Sequence, residues 1–281
     1  MKILKSVEDV KNYIKTISRG DSIGFVPTMG ALHEGHLALG RRAKSENSIV
    51  IYSIFVNPIQ FAPNEDLERY PRDIEGDIEK LKTIGVDAVF FPSVDIMYPK
   101  GFKTEVSVKD LGKILCGASR TNHFAGVTTV VTKLFNIVEA DNGYFGKKDY
   151  QQLTIIKRMV DDLNMKIKIH GVDIVRESDG LAMSSRNQYL SSEERVSALL
   201  ISKALFKLKE EYKYSSSIDE LLALAKSRIE SDGNLSVEYI EIRDRNNLDK
   251  VSKAGTKAVV LVAARIGNVR LIDNLEIGGD E

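Results

Sequence analysis

Apolar positions along this chain change period several times, and each change predicts an element. Residues 22–26 form a short apolar run entering Pro27-Thr28-Met29-Gly30, a turn, and a helical period follows over about 36–44. Residues 48–56 are almost continuously apolar, as in a strand buried on both faces. A polar helical stretch over about 67–84 ends at Gly85, a suitable C-cap, and 86–91 reads as another buried strand. Over 126–138, Val127, Val130, Val131, Leu134, Phe135 and Val138 fall on one helical stripe. A strand over 141–146, a helix over 150–163 and a strand over 166–175 follow. Strands alternating with helices predict an α/β fold, a parallel sheet with helices on both faces.

Beyond about residue 175 the pattern changes. Ser191-x-x-Glu194 is a capping box that opens a long helix, with Val196, Leu200, Ala204 and Leu208 on one line. Ser217-x-x-Glu220 opens another, and 237–242, 257–264 and 268–272 read as strands joined by short polar turns. The expected organisation is therefore an α/β domain over 1–175 and a smaller α+β domain over 176–281.

Composition narrows the function classes. Forty Lys+Arg balance forty Asp+Glu, so a dedicated nucleic-acid or membrane-surface binder is not expected. With 43% hydrophobic and 28% charged residues the chain is too apolar to be disordered. The single cysteine, Cys116, can form no internal disulfide and no Cys-rich zinc site. The longest apolar run, 258–264, is too short to span a membrane, and the N-terminus lacks the apolar core of a signal peptide. A reduced, cytoplasmic, soluble protein is expected.

The most informative segment is GFVPTMGALHEGH at 24–36, strand through turn to helix. His33 and His36 lie three apart at the helix start, so both rings can face one side. Free N–H groups and partial positive charge there favour phosphate, and Gly35 lets a ligand approach the backbone. Gly30 to Gly35 has P-loop spacing, but His36 stands where the P-loop lysine belongs, which excludes a Walker site. Two other readings stay open: a pair of surface histidines, or a metal pair completed from Cys116, His123 or His170.

Three further segments carry weaker signals. Asp179-Gly-Leu-Ala-Met-Ser-Ser-Arg186 offers Ser184, Ser185 and the cation Arg186 in a loop, for a polyphosphate or merely for solvent. Gly146-Lys-Lys-Asp149 follows a strand, where open α/β sheets bind ligands; Lys147 or Lys148 could neutralise phosphate and Asp149 could hold a hydroxyl, or the turn is simply solvated. In FVNPIQF at 55–61, the amides of Asn57 and Gln60 beside apolar walls suit a small hydroxy acid, with a strand-ending turn as the alternative. Asp73 and Asp77 offer an approach for Mg²⁺ or form a solvated helix face.

With PTMGALHEGH (27–36), FVNPIQF (55–61), YPRD (70–73), HFAGV (123–127), GKKDYQQ (146–152) and DGLAMSSRN (179–187) in order, the sequence closely resembles the pantoate–β-alanine ligases, within the wider HxGH nucleotidylyltransferase group. It departs from their pattern at Cys116, where several relatives are expected to carry glutamate, and at Thr121-Asn122, where Pro-Gly is expected. The resemblance implies a Rossmann-like N-terminal domain, a C-terminal lid domain and a homodimer. It implies ligation of pantoate to β-alanine, with ATP converted to AMP and diphosphate through a pantoyl-adenylate. By position it assigns ATP contacts to Met29, Gly30, Ala31, Leu32, His33, Glu34, Gly35 and His36, to Gly146, Lys147, Lys148 and Asp149, to Val175, and to Met183, Ser184, Ser185 and Arg186. It makes His36 the catalytic acid, gives pantoate to Gln60 and Gln152, and places β-alanine near Gln60. The residues add Asn57 as a further pantoate contact. His33, His36, Lys148, Arg186 and Mg²⁺ suit the phosphate charge, with Asp77 as the metal ligand.

Overall fold

The computed structural model describes residues 1–63, 65–215 and 217–279. In chain order the elements are β1 (Lys2–Leu4), α1 (Val7–Lys15), β2 (Ile23–Thr28), α2 (Glu34–Glu46), β3 (Ile49–Ile54), α3 (Ile74–Thr83), β4 (Ala88–Phe90), α4 (Val94–Met97), α5 (Cys116–Ser119), α6 (His123–Val138), β5 (Asn142–Gly146), α7 (Tyr150–Asp162), β6 (Lys168–Val172), α8 (Ser192–Tyr212), α9 (Ile218–Ile229), β7 (Leu235–Asp244), β8 (Ala258–Ile266) and β9 (Val269–Ile277). They form two compact units, Met1–Lys147 with Ile155–Asp173, and Lys148–Thr154 with Ile174–Glu281.

The first unit holds a parallel sheet of order β1-β4-β3-β2-β5-β6. Alternation along β2 shows how both faces are covered. Val26 joins Leu39 of α2 and Leu81 of α3 in one core cluster, together with Val50, Tyr52 and Val89. Its neighbour Phe25 faces the opposite side and meets Phe135 of α6 edge to face at 6.4 Å. The expected Val127–Val138 stripe is buried, and so are Thr128, Thr129 and Ile137, so α6 is buried nearly all round. The chain builds outward from β2 through β3 and β4 on one side and through β5 and β6 on the other. The loops leaving the C-terminal ends of β3, β2 and β5 therefore flank the point where strand order reverses, the ligand crevice of open α/β sheets.

Helix α3 begins at Ile74, later than its polar pattern suggested. Pro71 interrupts the run, and the Asp73 carboxylate accepts from Gly76 N at 2.9 Å to cap the helix there.

The second unit pairs β7, β8 and β9 in antiparallel order, with α8 and α9 packed on them. Ser191 and Glu194 do make the reciprocal capping box of α8, at 3.1 and 2.8 Å. The buried face of α8 is Ala198, Ile201, Leu205, Leu208 and Tyr212, whereas Val196 is 68% exposed. A line of four-residue steps advances about 40° each time, so it drifts off the face that 3.6-residue geometry selects.

The units do not part at a single cut after residue 175. The segment Lys148–Thr154 groups with the C-terminal elements. Asn274 donates to Lys148 O at 2.8 Å, and the Tyr150 hydroxyl bonds Arg245 O at 2.9 Å and Glu276 at 3.0 Å. Local periodicity carries no trace of these pairings. No helix among the described residues is long and apolar enough to cross a membrane.

Candidate active site

At the start of α2 the two histidines cap the helix themselves. His33 is the N-cap in extended conformation, and its Nδ1 accepts from Gly35 N at 3.2 Å. His36 Nδ1 accepts from His33 N at 3.3 Å. The rings lie 4.1 Å apart, tilted by 42°. A ring nitrogen that accepts an N–H carries no proton, so each imidazole is the Nε2–H tautomer. Both rings thus turn a donor away from the helix backbone, next to the helix N-terminus.

The turn before them is held from α3. Gly30 has φ +88°, and a Cβ there would meet Asp77 Oδ2 and Ile54 Cγ2 at 3.1 Å each. Asp77 Oδ1 accepts from Leu32 N at 2.7 Å, and Lys80 Nζ donates to Leu32 O at 2.8 Å. Leu32 is thereby clamped at both main-chain groups. From the sheet side, the buried Tyr52 hydroxyl donates to His36 O at 2.8 Å.

Asp77 therefore does not fit the metal role expected of it. It is 1% exposed, and its carboxylate faces the Ala31–Leu32 amides. Burial raises its pKa, against the Leu32 N–H that favours the charged form. Among the described residues no group of three or more His, Cys, Asp or Glu side chains is arranged to hold a metal ion.

After β3, Asn57 and Gln60 come together. Asn57 Nδ2 donates to Gln60 Oε1 at 3.0 Å and to Gly126 O at 3.1 Å, and Asn57 Oδ1 accepts from the Tyr98 hydroxyl at 2.7 Å. With its amide so engaged and 1% exposed, Asn57 is a support for Gln60 rather than the direct acid contact expected of it. Holding Oε1 orients the Gln60 amide so that Nε2 points to Met29, whose sulfur it meets at 3.1 Å. The Gln60 main-chain carbonyl accepts from His123 at 2.8 Å. Gly126 allows this approach, since a Cβ there would stand 2.7 Å from Ile59 O and 2.8 Å from Gln60 N.

Gly146 ends β5, and Lys147 pairs with Asp173 at 2.7 Å in the same unit. In the second unit, Met183 N donates to Val175 O at 3.0 Å, which fixes those two expected nucleotide contacts against each other. Ser184 caps a one-turn helix, its hydroxyl accepting from Arg186 N at 3.2 Å. Arg176 braces this loop, with a fork of 2.7 and 2.9 Å to Asp273 and a bond of 3.1 Å to Gly180 O. Lys148, Asp149 and Gln152 lie at the start of that unit's other segment.

A family model described as pantoate-beta-alanine ligase matches residues 2–276. The chain belongs to the pantoate–β-alanine ligase family. Relatives named pantothenate synthetase include one from Thermosipho africanus strain TCF52B, 49% identical over 278 residues, which cover 99% of this chain and 100% of the relative. Another, from Sulfurihydrogenibium sp. strain YO3AOP1, is 55% identical over 260 residues, 92% of this chain and 93% of that one. Among solved structures, pantothenate synthetase from Thermus thermophilus matches with a TM-score of 0.94 at 43% identity, covering 99% of this chain and 100% of that one. A pantoate-beta-alanine ligase from Francisella tularensis, complexed with beta-gamma ATP and beta-alanine, matches with a TM-score of 0.82 at 37% identity over 98% and 97% of the two chains. The chemistry of this pantoate–β-alanine ligase is ATP-dependent formation of pantothenate.

Several residues that shape this candidate site gave little sign of it in the sequence. Tyr98 and Gly126 reach Asn57 from 41 and 69 positions away, and Lys80 reaches Leu32 from 48. His123 lay within a quoted motif, but nothing local linked it to Gln60. Asn122, one of the two departures from the family pattern, has φ +65° as N-cap of α6. Asparagine tolerates this left-handed conformation better than most side chains, so it can stand where glycine is expected.

Proposed function

We propose that this ligase activates pantoate as an acyl-adenylate and that His36 and His33 are hydrogen-bond donors to the reacting phosphates. The two ring-to-backbone hydrogen bonds carry this reading, because a ring whose Nδ1 accepts an N–H keeps its proton on Nε2, beside a helix N-terminus. A neutral imidazole N–H is a poor acid, so His36 acts mainly by stabilising charge on the leaving diphosphate.

The pantoate carboxylate is ionised at neutral pH and attacks the α-phosphorus without a general base. Diphosphate leaves, and positioning with charge neutralisation lowers the barrier. Met29, Gly30, Ala31, Leu32, Glu34, Gly35, Gly146, Lys147, Asp149, Val175, Met183, Ser184 and Ser185 make up the rest of the ATP contacts. Lys148 and Arg186 add cationic charge. Gln60 and Gln152 hold pantoate, and Gln60 also meets β-alanine. The amine then attacks the activated carbonyl and AMP leaves. Mg²⁺ would accompany ATP as co-substrate and would supply further positive charge for the phosphates, as suits a hard cation that keeps few protein ligands. The family resemblance supports a homodimer, and a single cysteine, Cys116, with no internal disulfide to form, suits the cytoplasm.

The test is isotope exchange. Labelled diphosphate should enter ATP when pantoate and Mg²⁺ are present without β-alanine, and not when pantoate is omitted. Exchange without pantoate would mean an adenylylated enzyme. Absence of exchange alongside normal product formation would mean that no adenylate forms before the amine binds.

A further inference from the structure

Gln60 is fixed at both ends, and the main-chain end belongs to a chain of side chains for which pantothenate formation has so far required no role. His123 Nδ1 lies 2.8 Å from Gln60 O, and Arg120 NH1 lies 2.9 Å from His123 Nε2. A carbonyl only accepts and a guanidinium only donates, so His123 is held as the Nδ1–H tautomer with its Nε2 lone pair toward arginine. Arg120 is gripped in turn by Glu65, through Nε at 2.5 Å and NH2 at 2.7 Å. Carboxylate, guanidinium, imidazole and carbonyl thus form one directed series.

We propose that His123, oriented by Arg120 and Glu65, is a positioning residue for acid recognition: it sets the Gln60 main chain, and with it the direction of the Gln60 amide. The proposal rests on the assignment of Gln60 to the acid. His123 and Gly126 lie three apart on the first turn of α6, and both bear on Gln60: one ties its carbonyl, the other admits its backbone. Asn57 holds the far end of the same residue through Oε1. If His123 lets go, the carbonyl and Cα of Gln60 can shift while Oε1 stays tethered, and Nε2 swings away from its target. A displacement of about 1 Å at a substrate-positioning group can cost about 10²-fold, and here it would fall on the acid that Gln60 orients.

The experiment compares His123→Asn, His123→Gln, Glu65→Gln and Gln60→Ala in the full-length enzyme, with KM for pantoate and for ATP and a melting temperature for each. Asparagine places an N–H near the position of Nδ1, whereas glutamine reaches only toward Nε2. The expected result is a pantoate KM raised about tenfold in His123→Gln, the scale of one lost hydrogen bond, with ATP KM within about twofold. His123→Asn should recover most of that loss, and Glu65→Gln should shift pantoate KM in the same direction by less. Equal shifts for both substrates, or an asparagine variant no better than glutamine, would overturn the proposal. Gln60→Ala separates the two levels. If it leaves pantoate KM unchanged, the acid site itself is misassigned. If it raises KM and the His123 variants do not, only the positioning role fails.

Discussion

The two halves of the first unit's site are held by opposite means. At the start of α2 the decisive bonds are local, with His33 and His36 capping each other across two or three residues. At the end of β3 they are remote, since Gln60 depends on His123 and Asn57 on Tyr98 and Gly126, 41 to 69 residues away. The group proposed to touch transferring phosphate sits on a helix start capped by its own two histidines, with Tyr52, Asp77 and Lys80 as outer braces. The group proposed to select the acid sits on a short turn whose geometry the surrounding fold must supply. A phosphate site needs donors and positive potential, which a helix start provides by itself. An amide aimed at one hydroxy acid needs a fixed orientation, and a three-residue turn cannot provide it alone.

The strongest way to break this contrast is to remove a histidine. His36→Ala should keep the fold and lower the rate of adenylate formation by about 10²–10⁴-fold, the scale for losing a transition-state donor. A rate within threefold of wild type, read by diphosphate exchange, would return the pair to a capping role only.

Asp77→Ala tests how far the histidine half relies on its brace from α3. It leaves the Leu32 N–H without its acceptor in a buried place, which should cost about 1–3 kcal/mol in urea unfolding. ATP KM should rise more than pantoate KM. The reverse order would show α3 serving the acid half instead.

Gly126→Ala tests the remote half. The new methyl would press on the Ile59–Gln60 backbone. Overpacking costs about 1–3 kcal/mol, and replacing a helical glycine returns about 0.5–1. Pantoate KM should rise while diphosphate exchange at saturating pantoate stays near normal. An unchanged pantoate KM would mean that the contact is not transmitted to the Gln60 side chain.

Acid should weaken one support of the remote half. Burial opposes the Glu65 carboxylate, but its bonds to Arg120 outweigh burial and hold its pKa below the ordinary value of 4.5. A lowered folded-state pKa means that the pair stabilises above that value and loses its contribution as pH falls through the lowered one. The difference in urea midpoint between wild type and Glu65→Gln should therefore be full at pH 6 and shrink below pH ~4. A difference that grows on acidification would contradict this sign.

Cys116→Ser should have the smallest effect. The thiol is buried, and the proposed reaction uses no enzyme nucleophile. Activity should remain near wild type, and mass spectrometry should detect no pantoyl thioester.

The sequence by itself determined what depends on near neighbours. The period of apolar residues announced the parallel sheet, Ser191 with Glu194 announced the start of α8, and His33 with His36 announced the start of α2. The two helix starts are closed by contacts within about one helical turn, and each strand shows in its own local period, so a sequence displays them directly. The tertiary structure decided the rest. It buried Asp77 against a backbone amide instead of leaving it toward a metal, turned Asn57 into a support for Gln60, and grouped Lys148–Thr154 with residues more than a hundred positions later. It also chose the buried face of α8, leaving Val196 outside. A polar side chain can be satisfied equally by water, a ligand or a distant main-chain group. Only packing determines which of these it meets.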